Sequence, residues 1–273
     1  MFDRRNFLTA VAAIAGSLSI RGANADADLP VAVRPEALQV FADAGTEGTF
    51  VLLDSNANRL VMTDETRTRQ GLPPASTFKL PHALIALETG VVADADNEVI
   101  KWDGVTYEYD EWNRDHTLRS AMKYSVVPAF RQIARRIGSE RMQYFLDKFD
   151  YGNKDIGGAA IDQFWMTGNL RITQIEQARF VERLQQGRLP VSSRSLDLVK
   201  DIVPVEKADD AVVHAKTGTI MAGDKPSVGW LVGWVEHGGA SAAFAMNIDI
   251  HTAPHLAGRM ALAEAVLHQL GAI

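Results

Sequence analysis

The feature that most constrains this fold is a change of hydrophobic period along the chain. Both ends read as strands and the middle reads as helices. Near the start, Thr49 to Leu53 and Arg59 to Thr63 are apolar runs on either side of Asp54-Ser55-Asn56-Ala57-Asn58. Those intervening residues are turn formers, so the segment predicts a β-hairpin. Near the end, Ala211 to Ala215, Val228 to Glu236 and Ala242 to Ile250 are strand-like, and His237-Gly238-Gly239 supplies a turn between the last two. Between these regions, Thr77 to Leu87 carries a helical pattern that stops at Gly90. Thr117 to Ile137, Ser139 to Phe149 and Ile172 to Leu184 read as further helices, whereas residues 91–116 have no clear period. Leu256 to Leu270 closes the chain as a helix. The expectation is one mixed α+β unit: an antiparallel sheet built from both termini, flanked by helices, with an inserted helical subdomain. Its 273 residues suffice to bury such a core. No internal repeat or low-complexity linker divides them.

The first residues read differently. Arg4-Arg5-Asn6-Phe7-Leu8 precedes an apolar stretch to Ile20, too short to span a bilayer, and Ala23-Asn24-Ala25 matches a signal-peptidase site. Residues 1–25 are therefore expected to be a signal peptide, possessing a twin-arginine core that departs from the usual pattern at Asp3 and Thr9, so the Sec route stays open. Residues 26–273 would be the mature domain, exported to the periplasm or secreted. Losing Asp3, Arg4, Arg5 and Arg21 removes a net +2 from a chain of net charge −6 and leaves −8. A negative balance argues against nucleic acid as partner. No later segment carries ~18 uninterrupted apolar residues, so no membrane span is expected in the mature protein. The absence of cysteine rules out disulfides and thiolate chemistry. The sequence carries no signal of oligomeric state.

Ser76-Thr77-Phe78-Lys79 follows Pro73-Pro74 at a helix start. Positions i and i+3 share a helix face, which lets the hydroxyl meet the amine. A serine nucleophile needs such a base, and a helix N-terminus favours negative charge developing on oxygen. Ser120-Ala121-Met122-Lys123 fits the same spacing but falls inside an expected helix, and reads as a decoy. Lys216-Thr217-Gly218 follows Val212–Ala215 and so should lie on a strand or at its end: a cation, a hydroxyl donor, and a glycine that gives a ligand room to approach the backbone. Ser125-Val126-Val127, Tyr151-Gly152-Asn153 and Trp165-Met166-Thr167-Gly168 read individually as a helical serine, a turn, and a core aromatic near a loop.

Their order is more specific than any one of them. S-x-x-K, S-x-V, Y-G-N, W-x-x-G and K-T-G, followed by Gly229-Trp230-Leu231-Val232-Gly233-Trp234, resemble the class D serine β-lactamases over essentially the whole mature chain. Class A enzymes and penicillin-binding proteins share S-x-x-K and K-T-G but carry S-D-N at the middle position. Sensor domains of β-lactam receptors and D,D-peptidases share parts of the set. The former usually follow membrane helices, and the latter are disfavoured by Y-G-N and W-x-x-G.

The resemblance implies hydrolysis of a small-molecule β-lactam through an acyl-enzyme on Ser76. It implies an N6-carboxylated Lys79, a CO2-derived carbamate, as general base, with no other cofactor. Ser125 would relay a proton to the lactam nitrogen, Lys216 would support that relay and the substrate carboxylate, and Trp165 would donate to the carbamate. Backbone N–H groups of Ser76 and Thr219 would form the oxyanion hole. Val127, Thr217, Gly218, Thr219 and Arg259 would contact substrate, with Arg259 meeting its carboxylate. The chemistry is physically plausible. An ordinary lysine is only ~0.1% neutral near pH 7.4, and only the neutral amine attacks CO2. Burial among Phe78, Val126, Val127 and Trp165 would lower its pKa, and the resulting anion would need donors such as Trp165 Nε1. No metal is expected. The seven histidines form neither H-x-H-x-D nor H-E-x-x-H, and Pro254 interrupts the His251/His255 pair.

Overall fold

In the computed structural model, residues 29–273 are described with the exception of Asn56; the expected signal peptide lies outside the described residues. Period-2 segments at both ends become the strands β1 (Val31–Val33), β2 (Gly48–Asp54), β3 (Arg59–Met62), β4 (Val205–Ala208), β5 (Ala211–Ala222), β6 (Lys225–His237) and β7 (Ala240–Asp249). They form one seven-stranded sheet in the order β1-β3-β2-β7-β6-β5-β4. All neighbours are antiparallel except β1 and β3. The two ends of the chain meet where β2 pairs with β7, from Gly48↔Ile248 to Asp54↔Ala242.

Alternation along these strands divides the interior in two. Phe50, Leu52, Leu231, Phe244 and Met246 face the terminal helix Arg259–Leu270. Val51, Leu53, Val232 and Ala245 face the inserted helices. The rings of Phe50 and Phe244 stack at 5.4 Å on the first side. On the second, the helix Gln174–Gln185 packs across β2, β6 and β7. Expectation and structure thus agree on an α+β fold with a helical insertion, here between β3 and β4.

Several local expectations need correction. The helix expected over 117–137 is two helices, Leu118–Lys123 and Val127–Ile137. Pro128 is the cause: within one continuous helix its ring would clash with the Tyr124 carbonyl four residues back. The chain breaks instead at Ser125, at φ +52°. The freed Tyr124 carbonyl accepts a hydrogen bond from Trp112 Nε1 at 3.1 Å. Ser125 is therefore not a helical serine. Of the two placements expected for Lys216-Thr217-Gly218, on a strand or at its end, the structure shows the first, in the middle of β5. The C-terminal helix is preceded by a short one, Ala253–Ala257, with Pro254 in its first turn, so His255 is helical. The helix Ser193–Ile202 and strands β1 and β4 were not expected.

Candidate active site

Ser76 sits in a tight turn, Ala75–Phe78, that runs into the helix Lys79–Glu88. The turn is held from three sides. Thr77 Oγ1 donates to the Pro74 carbonyl at 2.7 Å and accepts from Gln177 Nε2 at 2.7 Å. Trp230 Nε1 donates to the Pro73 carbonyl at 3.0 Å. Strand β5 presses close: a Cβ on Gly218 would lie 3.0 Å from Pro74 O and 3.0 Å from Thr77 Cγ2. The space expected to admit a ligand at Gly218 is therefore filled by the nucleophile turn itself. Ala75 takes φ +49°, a strained value for a residue with a Cβ. Ser76 remains half-buried, with Lys79 Nζ donating to its Oγ at 2.8 Å.

Lys79 is wholly buried. Its Nζ lies 5.3 Å from the Phe130 ring centroid. Burial, followed by the charges of Lys216 and Arg131, holds its pKa well below the ordinary amine value. Trp165, also wholly buried, stacks on Phe78 at 5.8 Å, and its Nε1 has no hydrogen-bond partner among the described residues. Sequence reasoning missed His82. It too is wholly buried, 5.2 Å from both the Trp165 and Phe130 rings, and neither ring nitrogen has a partner among the described residues. The i+3 spacing from Lys79 could have flagged it.

Lys216 Nζ donates to Ser125 Oγ at 3.0 Å and to the Thr217 carbonyl at 2.9 Å. Burial, then the Arg259 charge, pushes its pKa down to about 7. Val127, mostly buried, opens the helix after Ser125, and Thr217 is half-buried on β5. Arg259 lies along the sheet, where Gly229 leaves room: a Cβ there would meet Arg259 Cδ at 2.9 Å. Its Nη1 donates to the carbonyls of Gly218 at 2.8 Å and Trp230 at 3.2 Å, and to Thr219 Oγ1 at 3.4 Å. Ser120, by contrast, is occupied. Its Oγ caps the helix start by accepting from Thr117 N at 2.9 Å and lies 2.9 Å from His116 Nδ1, and Lys123 is exposed.

Tyr151-Gly152-Asn153 is more than a turn. Asn153 accepts from Arg171 N and donates to Asn169 O, both at 2.9 Å, bracing the loop that follows Trp165. A Cβ on Gly152 would sit 2.1 Å from Arg171 O, so only glycine fits. Tyr151 meets Phe78 edge-on at 5.6 Å. As for metals, ligand atoms of Glu47, Asp249 and His251 lie within 4.8 Å of one another. His251 Nε2 already pairs with Glu47 at 2.8 Å, and Arg67 bridges both oxygens of Asp249 at 2.9 and 3.1 Å. Sequence spacing could not reveal this group, because Glu47 and His251 come from opposite ends of the chain.

The penicillin binding protein transpeptidase domain family matches residues 42–270. Beta-lactamase OXA-48 of Klebsiella pneumoniae is 44% identical over 229 residues, covering 84% of this chain and 85% of the relative. Beta-lactamase OXA-5 of Pseudomonas aeruginosa is 40% identical over 235 residues, covering 85% and 87%. The crystal structure of FUS-1 (OXA-85), a class D β-lactamase from Fusobacterium nucleatum subsp. polymorphum, superposes with a TM-score of 0.82 at 36% identity, covering 89% of this chain and all of that one. The chain belongs to the class D β-lactamases, within the penicillin-binding transpeptidase family.

Proposed function

We propose that this enzyme hydrolyses the β-lactam amide of penicillin-type antibiotics through an acyl-enzyme on Ser76, with carboxylated Lys79 as general base, and so confers resistance to them. The observation that carries this reading is a pair of buried amines, each hydrogen-bonded to a serine: Lys79 to Ser76 at 2.8 Å and Lys216 to Ser125 at 3.0 Å. One couple serves attack and the other serves departure of the leaving group.

Ser76 Oγ attacks the lactam carbonyl and gives up its proton on the Lys79 side. The C–N bond breaks, and the lactam nitrogen takes a proton from Ser125, which Lys216 replenishes. An amine with a pKa of about 7 can give and regain a proton near neutrality. Backbone N–H groups of Ser76 and Thr219 hold the developing oxyanion. Val127 and Thr217 line the substrate site, Gly218 lets the nucleophile turn pack against β5, and Arg259 holds the substrate carboxylate. Water then cleaves the ester and restores Ser76.

The Lys79 pocket suits a carbamate. The amine's depressed pKa leaves it open to CO2, and the unpaired, buried Trp165 Nε1–H is a donor awaiting an acceptor. Carboxylation would supply an anionic oxygen base that a protonated amine cannot. Exported β-lactamase activity also accords with residues 1–25 acting as a signal, and we place the mature enzyme in the periplasm or outside the cell. Among the described residues no helix is long and apolar enough to cross a membrane.

Steady-state hydrolysis of a chromogenic cephalosporin tests the reading. Sustained turnover is expected in the wild type, and Ser76→Ala should lose both turnover and the covalent adduct in intact-mass spectra. A single burst followed by a stable adduct would identify a receptor-type sensor or a D,D-peptidase instead.

A further inference from the structure

Helical side chains lean back toward the N-terminus, so a residue three positions after Lys79 covers the turn that carries it. His82 does this. Its ring contacts Phe78 at 5.5 Å, Phe130 at 5.2 Å and Trp165 at 5.2 Å, and Lys79 Nζ approaches the same Phe130 ring at 5.3 Å. This apolar box therefore holds three polar atoms without a partner among the described residues, Trp165 Nε1 and both nitrogens of His82. An imidazole serving only as packing would leave a donor and an acceptor buried without partners, an unfavourable arrangement that phenylalanine would avoid.

We infer that His82 is a positioning residue of the Lys79 pocket: its imidazole is the second buried hydrogen-bonding group, beside the Trp165 indole, that a carboxylated Lys79 binds directly or through one enclosed water. In this way His82 sets how tightly the pocket holds CO2. The inference rests on the proposed carboxylation, which forms an N–C bond to CO2 and releases one amine proton to solvent. The two oxygens of the group accept more hydrogen bonds than Ser76 Oγ and Trp165 Nε1 can provide, and His82 supplies the missing one. Burial, followed by the Lys79 charge, pushes the pKa of His82 to about 3. The ring is thus a neutral donor and acceptor across the working pH range, not a second cation.

Titration with carbon-13 bicarbonate, followed by the NMR resonance of the carbamate, tests this without reference to turnover. His82→Phe keeps the ring but loses both nitrogens, and its half-saturating bicarbonate should rise by about tenfold or more, as expected for one hydrogen bond to a charged group. His82→Asn places a polar atom near Nδ1 and His82→Gln places one near Nε2. One of the two should recover to within about threefold of wild type and so name the nitrogen in use. In the unmutated enzyme, removing CO2 should shift the ring signals of His82 together with the Trp165 indole N–H. Three outcomes would overturn the inference: wild-type affinity in His82→Phe, equal weakening in all three variants, or an indole shift with no imidazole shift. A wild-type enzyme with no carbamate resonance at any bicarbonate concentration would instead refute carboxylation itself.

Discussion

Lys216 should be held in place against the stability of the fold. It is 2% exposed, and burial together with Arg259 brings its pKa from 10.5 to about 7. That displacement corresponds to roughly 5 kcal/mol at 1.36 kcal/mol per pH unit. Lys216→Met keeps the length and apolar stem without the amine. It gives up hydrogen bonds to Ser125 Oγ and Thr217 O, each worth about 1 kcal/mol. A net gain of roughly 3 kcal/mol remains, which raises the melting temperature by about 5–10 °C at this chain length. The sign with pH follows from proton counting. Between about 7 and 10.5 the unfolded chain binds more protons at this site than the folded one, so wild-type stability rises with pH in that window. The penalty is full below 7 and fades toward 10.5, so the advantage of Lys216→Met should be greatest near pH 6 and shrink by pH 10. Hydrolysis should fall at least about 10²-fold, the scale of a lost acid–base group. Thermal and urea unfolding at pH 6, 8 and 10 measure the effect. A variant no more stable than wild type at pH 6, or an advantage that grows with pH, would refute the reasoning.

Trp165→Ala should lose activity at ambient CO2 and recover part of it with added bicarbonate; a deficit that bicarbonate leaves untouched would separate Trp165 from the carbamate. Ser120→Ala should retain turnover and labelling while costing about 1 kcal/mol of stability through its helix cap, checked by urea denaturation. Gly218→Ala should reduce kcat by pushing its Cβ against Pro74 and Thr77, and steady-state kinetics would show this. N-terminal sequencing of the exported form should find Asp26, or Asp28 if the later Ala25-Asp26-Ala27 site is cut, and replacing Arg4 and Arg5 with Lys should stop export only if the twin-arginine route is used.

What the sequence determined by itself is the part governed by local order. Apolar runs with strand character at both ends suggest a common sheet, and the period change between them marks the helical insertion. The spacing of Ser76 and Lys79 places hydroxyl and amine on one face whatever surrounds them, and the structure has them 2.8 Å apart. Pro128 carried a further signal, a break just after Ser125, that the helical pattern over 117–137 obscured. Only the tertiary structure decided how distant segments meet. Gly218 lies against Pro74 and Thr77, Gln177 and Trp230 brace the nucleophile turn, and Asn153 clamps the loop after Trp165. It also decided which polar atoms have no partner among the described residues, both nitrogens of His82 included. The physical reason is range: hydrophobic period and i, i+3 geometry act within a few residues, whereas desolvation and hydrogen-bond satisfaction depend on neighbours that only the folded chain brings together.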